Sequence, residues 1–161
     1  MVWKPTIEHV SCPGGKPWVI ERFENLDSHR AALKRARPSL AWTSTQLAQG
    51  RLGGSVAWCR SGDVAVSCTS MTGSYEMRGP ASTENLVLTL SLETHKPGMQ
   101  WMRPAHVGMV GVFLPNIEVD SINRDAVSFA VIDISRDALD RYAARLGISI
   151  DQQKLARSAV L

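Results

Sequence analysis

Cysteine is scarce in this sequence: Cys12, Cys59 and Cys68 are odd in number and form no C-x-x-C pair. That excludes a disulfide framework and argues for reduced, buried thiols. Long apolar runs are missing as well. None approaches the roughly 18 residues of a membrane-spanning helix, and Met1-Val2-Trp3-Lys4-Pro5 lacks the charged-then-apolar layout of a signal peptide. A cytoplasmic location with no membrane partner is the expectation. Charge of one sign is also absent, because 18 Lys and Arg stand against 15 Asp and Glu, for a formal net charge of +3. The one dense basic cluster, His29-Arg30 with Lys34, Arg35 and Arg37, reads as a solvated helix face rather than a phosphate footprint.

Signatures of catalysis are missing too. His9, His29, His95 and His106 are scattered and form no H-x-H pair, whereas a metal site needs three or more donors on adjacent strands. No metal and no cofactor is expected. There is no G-x-S-x-G elbow, and Gly50-Arg51-Leu52-Gly53-Gly54 carries neither the Lys-Ser/Thr nor the following helix of a phosphate-cradling loop. No catalytic residue is assigned.

What the chain does have is a strand-rich centre. In Asn85-Leu86-Val87-Leu88-Thr89-Leu90-Ser91-Leu92 every even position is Leu, the period of a strand with one greasy face. Glu93 to Gly98 reads as a turn, His106 to Leu114 as a strand covered on both faces, and Ala126 to Ile134 as a third strand. Gly108 and Gly111 suggest a sharply curved or closely approached backbone. Upstream, Ser55–Arg60 and Val64–Met71 flank Ser61-Gly62-Asp63, the clearest hairpin in the sequence. Trp42 to Leu47 is a further strand.

Helices flank this block. One starts with Asp27 or Ser28 as its cap, ends at Pro38 and leans on the sheet through Leu33 and Ala36. A second is capped by Ser135, carries Ala138, Leu139, Tyr142, Ala143 and Leu146 at helical spacing and stops at Gly147. Another begins at Asp151. With 161 residues and 44% hydrophobic content the chain suits one domain: an amino-terminal arm over 1–24, with an edge strand at Trp18–Ile20, a barrel with its leading helix over 25–134, and carboxy-terminal helices over 135–161.

A mainly β barrel can enclose a small molecule. Trp58, Arg60, Tyr75, Arg78, Trp101 and Phe113 are the large groups on its strands, and they form the candidate ligand-binding set. The competing reading makes Trp58 and Phe113 plain core and turns Arg60 and Arg78 to water.

The run from Leu40 to Ile148 resembles the amino-terminal effector-sensing domain of AraC-type transcription regulators. The matching text is Gln46-Leu47 with Gly50-Arg51-Leu52-Gly53-Gly54, then Asn85 to Leu90, His106 to Asn116, Val127 to Ile132 and Arg136 to Asp140. The resemblance implies a cupin-like double-stranded β-barrel of jelly-roll type with trailing helices, a small effector such as an organic acid or aromatic metabolite, and a homodimer. The dimer face would be Leu139, Tyr142, Ala143 and Leu146, with packing on the barrel's own wall as the alternative. Family members continue into paired helix-turn-helix motifs, to which nothing here corresponds. An excised sensor domain or a stand-alone relative is implied, with DNA contacted only through a missing carboxy-terminal domain. The alternative is a stand-alone cupin-fold enzyme acting on a small metabolite.

Overall fold

The computed structural model describes residues 7–11, 17–151 and 154. In chain order its elements are β1 (Ile7–Ser11), β2 (Pro17–Phe23), α1 (Leu26–Ala36), β3 (Thr43–Gln46), β4 (Gly53–Ser61), β5 (Val64–Thr72), β6 (Tyr75–Pro80), β7 (Leu86–Gln100), β8 (Arg103–Ala105), β9 (Val110–Phe113), β10 (Glu118–Ile134) and α2 (Arg136–Arg145). All the strands join one antiparallel sheet. The expected class holds in its main feature: a mainly β half-barrel, one curled antiparallel sheet with a leading and a trailing helix.

The long strand β10 is its spine. Along one edge its first half pairs β6 and its second half pairs β5, while β7 follows its other edge. Register shifts between Ile122 and Arg124, Arg124 and Val127, and Ser128 and Phe129 bend the ladder there. Asp125 absorbs part of the bend at φ 65°. The result is a sheet curled onto its own inner face.

Register decides which residues look inward. Val127, Phe129, Val131 and Asp133 stand opposite Met71, Thr69, Ser67 and Ala65, and all eight are buried. On β7, Val87, Thr89 and Ser91 pair with Asp133, Val131 and Phe129 and so belong to this inner set. The leucines, the greasy face expected from the sequence, therefore lie on the outer side of the sheet. Leu86 and Leu88 pack under α2 with Val112, Ile134, Ala138 and Leu139, while Leu90 and Leu92 remain 38% and 45% exposed.

Helix α1 covers the concave side. Ala32, Leu33 and Ala36 join one buried cluster with Phe23, Val56, Met71 and Tyr75. Its cap is Asn25, not Asp27 or Ser28: Asn25 Oδ1 accepts from Ser28 N at 2.9 Å, and Ser28 Oγ accepts from Asn25 N at 3.3 Å. A reciprocal pair satisfies two amide donors where Asp27 could satisfy one. At the other end Arg37 is the C-cap, ahead of Pro38. Glu21, buried on β2, accepts from Arg35 Nε at 3.0 Å and pins the helix to the sheet.

Further expectations need correcting. Glu93–Gly98 is not a turn but part of β7, and the reversal lies at Trp101-Met102, both at positive φ between Gln100 and Arg103. Only Val110–Phe113 of the run from His106 to Leu114 is strand, and His106 sits in an exposed turn. Strand β2, placed in the arm, is an inner member of the sheet between β1 and β4. The Gly62-Asp63 hairpin and the Ser135 cap, whose Oγ accepts from Ala138 N at 3.2 Å, stand as read. Cys59 and Cys68 are half-buried thiols on neighbouring strands, and burial, with Cys59 nearby, pushes the Cys68 thiol pKa up. Cys12 and the helix expected from Asp151 onward lie outside the described residues, apart from Asp151 and Lys154.

Candidate functional site

The inner face leaves a cavity of about 80 Å³ beside α1. At roughly 10–15 Å³ per water on this measure it has room for about five to eight waters, more than a filled barrel would leave. Trp42, Met77, Val87, Phe113, Phe129 and Val131 supply apolar wall, while Thr89, Ser91, Gln100, Ser121 and Asn123 supply polar groups. Small residues on β7 make this space. Gly111 matters at the same place, since a Cβ there would lie 2.6 Å from Thr89 Oγ1 and 2.9 Å from the Phe113 ring.

Arg37 is a buried charged residue on the cavity wall. Its position follows from being the C-cap of α1, which carries the side chain inward as the chain turns toward Pro38. It is 3% exposed, and its guanidinium lies 5.5 Å from the centre of the Trp42 ring. Neither Nε nor Nη2 has a hydrogen-bond partner among the described residues. Burial pulls its pKa down to about 10, and the Asp133 carboxylate pulls the other way, so the group is a cation at neutral pH. Asp133 itself accepts from Ser39 Oγ at 2.7 Å and from Asn85 Nδ2. Trp42 Nε1 and Gln100 Nε2, on the same cavity, are also buried N–H donors without a partner. Among the described residues no Asp or Glu lines this cavity, and the other charge is Arg124, exposed at its edge.

The six residues singled out from sequence scatter. Phe113 lines the cavity. Trp101 packs on the Phe113 ring at 4.8 Å between centroids and donates through Nε1 to Glu118 O at 2.7 Å. Tyr75 is fully buried beneath α1, away from the cavity lining, and Trp58 packs half-buried against the same core. Arg60 donates to Ala36 O at 3.4 Å at the end of α1 and borders a separate polar cleft with Asp63, Asn85 and Asp133. Arg78 is on the surface, paired with Glu76 at 2.9 Å. Sequence reasoning missed Arg37, Trp42 and Gln100. Arg37 was read into the solvated helix face, although Pro38 directly after it marked a change of direction.

On α2 the apolar stripe divides. Ala143 is buried and Leu139 packs on the sheet's outer wall, whereas Tyr142 and Leu146 are 48% and 72% exposed. Among the described residues no group of three or more His, Cys, Asp or Glu is arranged to hold a metal ion. No helix among them is long and apolar enough to cross a membrane.

The fold and the cavity define a small half-barrel with a partly polar interior. No family model matches the sequence, and no curated protein matches it. Among solved structures, a Salmonella typhimurium chain ascribed to ethanolamine utilization, EutQ, is similar over 84% of this chain and 98% of its own, at 10% identity and a TM-score of 0.46. The AraC-like transcriptional activator CuxR is similar over 78% of this chain at 10% identity and a TM-score of 0.49. This chain spans 51% of the CuxR chain. At this level neither similarity speaks to ligand, activity or partner.

Proposed function

We propose that this chain is a non-catalytic, small-molecule-sensing and dimerisation domain of a transcription regulator of the AraC type, acting on a DNA-binding domain carried elsewhere. The observation that carries the reading is the cavity on the inner face, which is lined both by apolar side chains and by residues with unsatisfied donors, as ligand pockets are. An effector there touches α1 through Arg37 and the β7–β10 wall from inside, while α2 packs on the outside of that wall. A shift in the wall would thus reach the helices that pair two copies, with Tyr142 and Leu146 as the exposed part of the pairing face. Such a switch works only if the effector prefers one of two arrangements.

The test is a thermal-shift screen of small acids and aromatics. A ligand at 100 times its Kd adds about 2.7 kcal/mol, which raises Tm by about 5–10 °C for a chain of this size. Ser91→Leu, which fills the cavity, should lose that shift while keeping the β-rich circular dichroism spectrum. A shift that survives in Ser91→Leu, or a screen in which no compound moves Tm, rejects the reading.

A further inference from the structure

We propose that the ligand of the inner cavity is a small monocarboxylate with a flat or compact apolar body, its carboxylate held by the fork of Arg37. The proposal rests on the cavity being a ligand site and adds the ligand's chemistry. Its basis is an imbalance of hydrogen-bonding roles. Among the described residues the partnerless buried nitrogens around the cavity are Arg37 Nε and Nη2, Trp42 Nε1 and Gln100 Nε2, and all four are donors. Buried donors without acceptors are costly, and a buried cation without them more so. A partner that cures all of them must bring acceptors and a negative charge. The Nε and Nη2 edge of a guanidinium presents two parallel N–H groups at the spacing of two carboxylate oxygens.

Charge and size narrow the class. Among the described residues Arg37 is the one buried cation on the cavity wall, and the Asp133 carboxylate acts on its charge. One guanidinium balances one negative charge, so a phosphate group carrying about −1.5 to −2 at neutral pH would remain partly uncompensated. Part of the wall is apolar, through Met77, Val87, Phe113, Phe129 and Val131, and suits a compact apolar body beside the polar Thr89, Ser91, Ser121 and Asn123.

Benzoate, benzamide and inorganic phosphate separate these cases. Benzoate and benzamide share a shape and differ in charge. Isothermal titration of the whole chain should show benzoate binding at least ten-fold more tightly than benzamide, and no heat from phosphate. Arg37→Met should weaken benzoate at least ten-fold and leave benzamide unchanged. Arg37→Lys keeps the charge without the fork and should fall between. Gln100→Leu, which keeps Arg37, reports the donor cluster if the Arg37 variants do not fold, and should weaken benzoate several-fold. Equal affinity for benzoate and benzamide, or wild-type benzoate affinity in the Arg37 or Gln100 variants, overturns the carboxylate assignment while leaving the cavity a ligand site. Phosphate binding in preference to benzoate overturns it too. Binding of none of the three at millimolar concentration ends both readings.

Discussion

The two ends of the half-barrel interior hold the same kind of irregularity and differ in space. At one end, under the first turns of α1, His29 and Tyr75 are buried with side-chain polar atoms that have no partner among the described residues. They are packed hard: the His29 ring lies 4.6 Å from that of Phe23 and 6.2 Å from that of Tyr75. At the other end, past the last turn of α1, Arg37, Trp42 and Gln100 are similarly orphaned but border the cavity. An unpaired polar group at the packed end has nowhere to receive a ligand, so it acts on stability alone. At the open end it can be answered by a molecule from outside. Volume, not polarity, separates the two.

Two methionines test that distinction on equal chemistry. Met71 and Met77 are both buried in the main cluster, at 1% and 7% exposure, but only Met77 lines the cavity. Truncating a fully surrounded Met typically costs about 2–5 kcal/mol. A side chain that already faces empty space has fewer contacts to lose. Met71→Ala should therefore cost about 4 kcal/mol and Met77→Ala about 2 kcal/mol or less, read from urea unfolding. Equal costs would mean that the cavity is closed by repacking.

Acid should act on the packed end. Burial, with Arg37 and Arg30 adding repulsion, lowers the His29 pKa from 6.5 to about 4. The unfolded chain then binds the proton more readily than the folded one. The stability due to neutral His29 is fully present above pH 6.5 and is lost as pH falls toward 4. At 1.36 kcal/mol per pKa unit the loss reaches about 3 kcal/mol. Unfolding of wild type and His29→Leu at pH 7, 5 and 4 measures it as the difference in slope, and parallel slopes would place water around the ring.

The sheet was more legible in the sequence than the site, for physical reasons that differ by residue. Period-two runs and the Gly62-Asp63 turn gave β4, β5, the start of β7 and the end of β10 because local backbone chemistry decides them. Which face of β7 is inner is not local. Alternation in Leu86 to Leu92 fixes two faces, and the pairing with β10 chooses between them, here turning Thr89 and Ser91 inward and the leucines outward. The hairpin at Trp101-Met102 was hidden because its positive-φ positions, at 47° and 61°, carry neither Gly nor Asn. Arg37 was hidden because a basic helix reads as solvated until its last residue is seen to turn under the sheet.

Helix α1 spans both ends, so weakening its start should separate them. Asn25→Ala removes the acceptor for Ser28 N and should cost about 1 kcal/mol in urea unfolding. The His29 end would loosen first, since it lies one turn from the cap. Ligand-induced stabilisation, measured as the Tm shift at a fixed ligand concentration, should stay at its wild-type size because Arg37 is at the far end. A diminished shift would show that the two ends move as one body.

The smallest expected change is the sharpest test of the packed end. Tyr75 is fully buried, its hydroxyl has no partner among the described residues, and burial drives its pKa well above the usual phenol range. Where a buried tyrosine is hydrogen-bonded, losing the hydroxyl strands its partner and costs about 1 kcal/mol or more. Here no partner is stranded, and the desolvated hydroxyl is removed. Tyr75→Phe should thus leave stability unchanged or raise it by up to about 1 kcal/mol. A loss above 1 kcal/mol on urea unfolding would give the hydroxyl a bound partner, and the packed end would then belong with the open one.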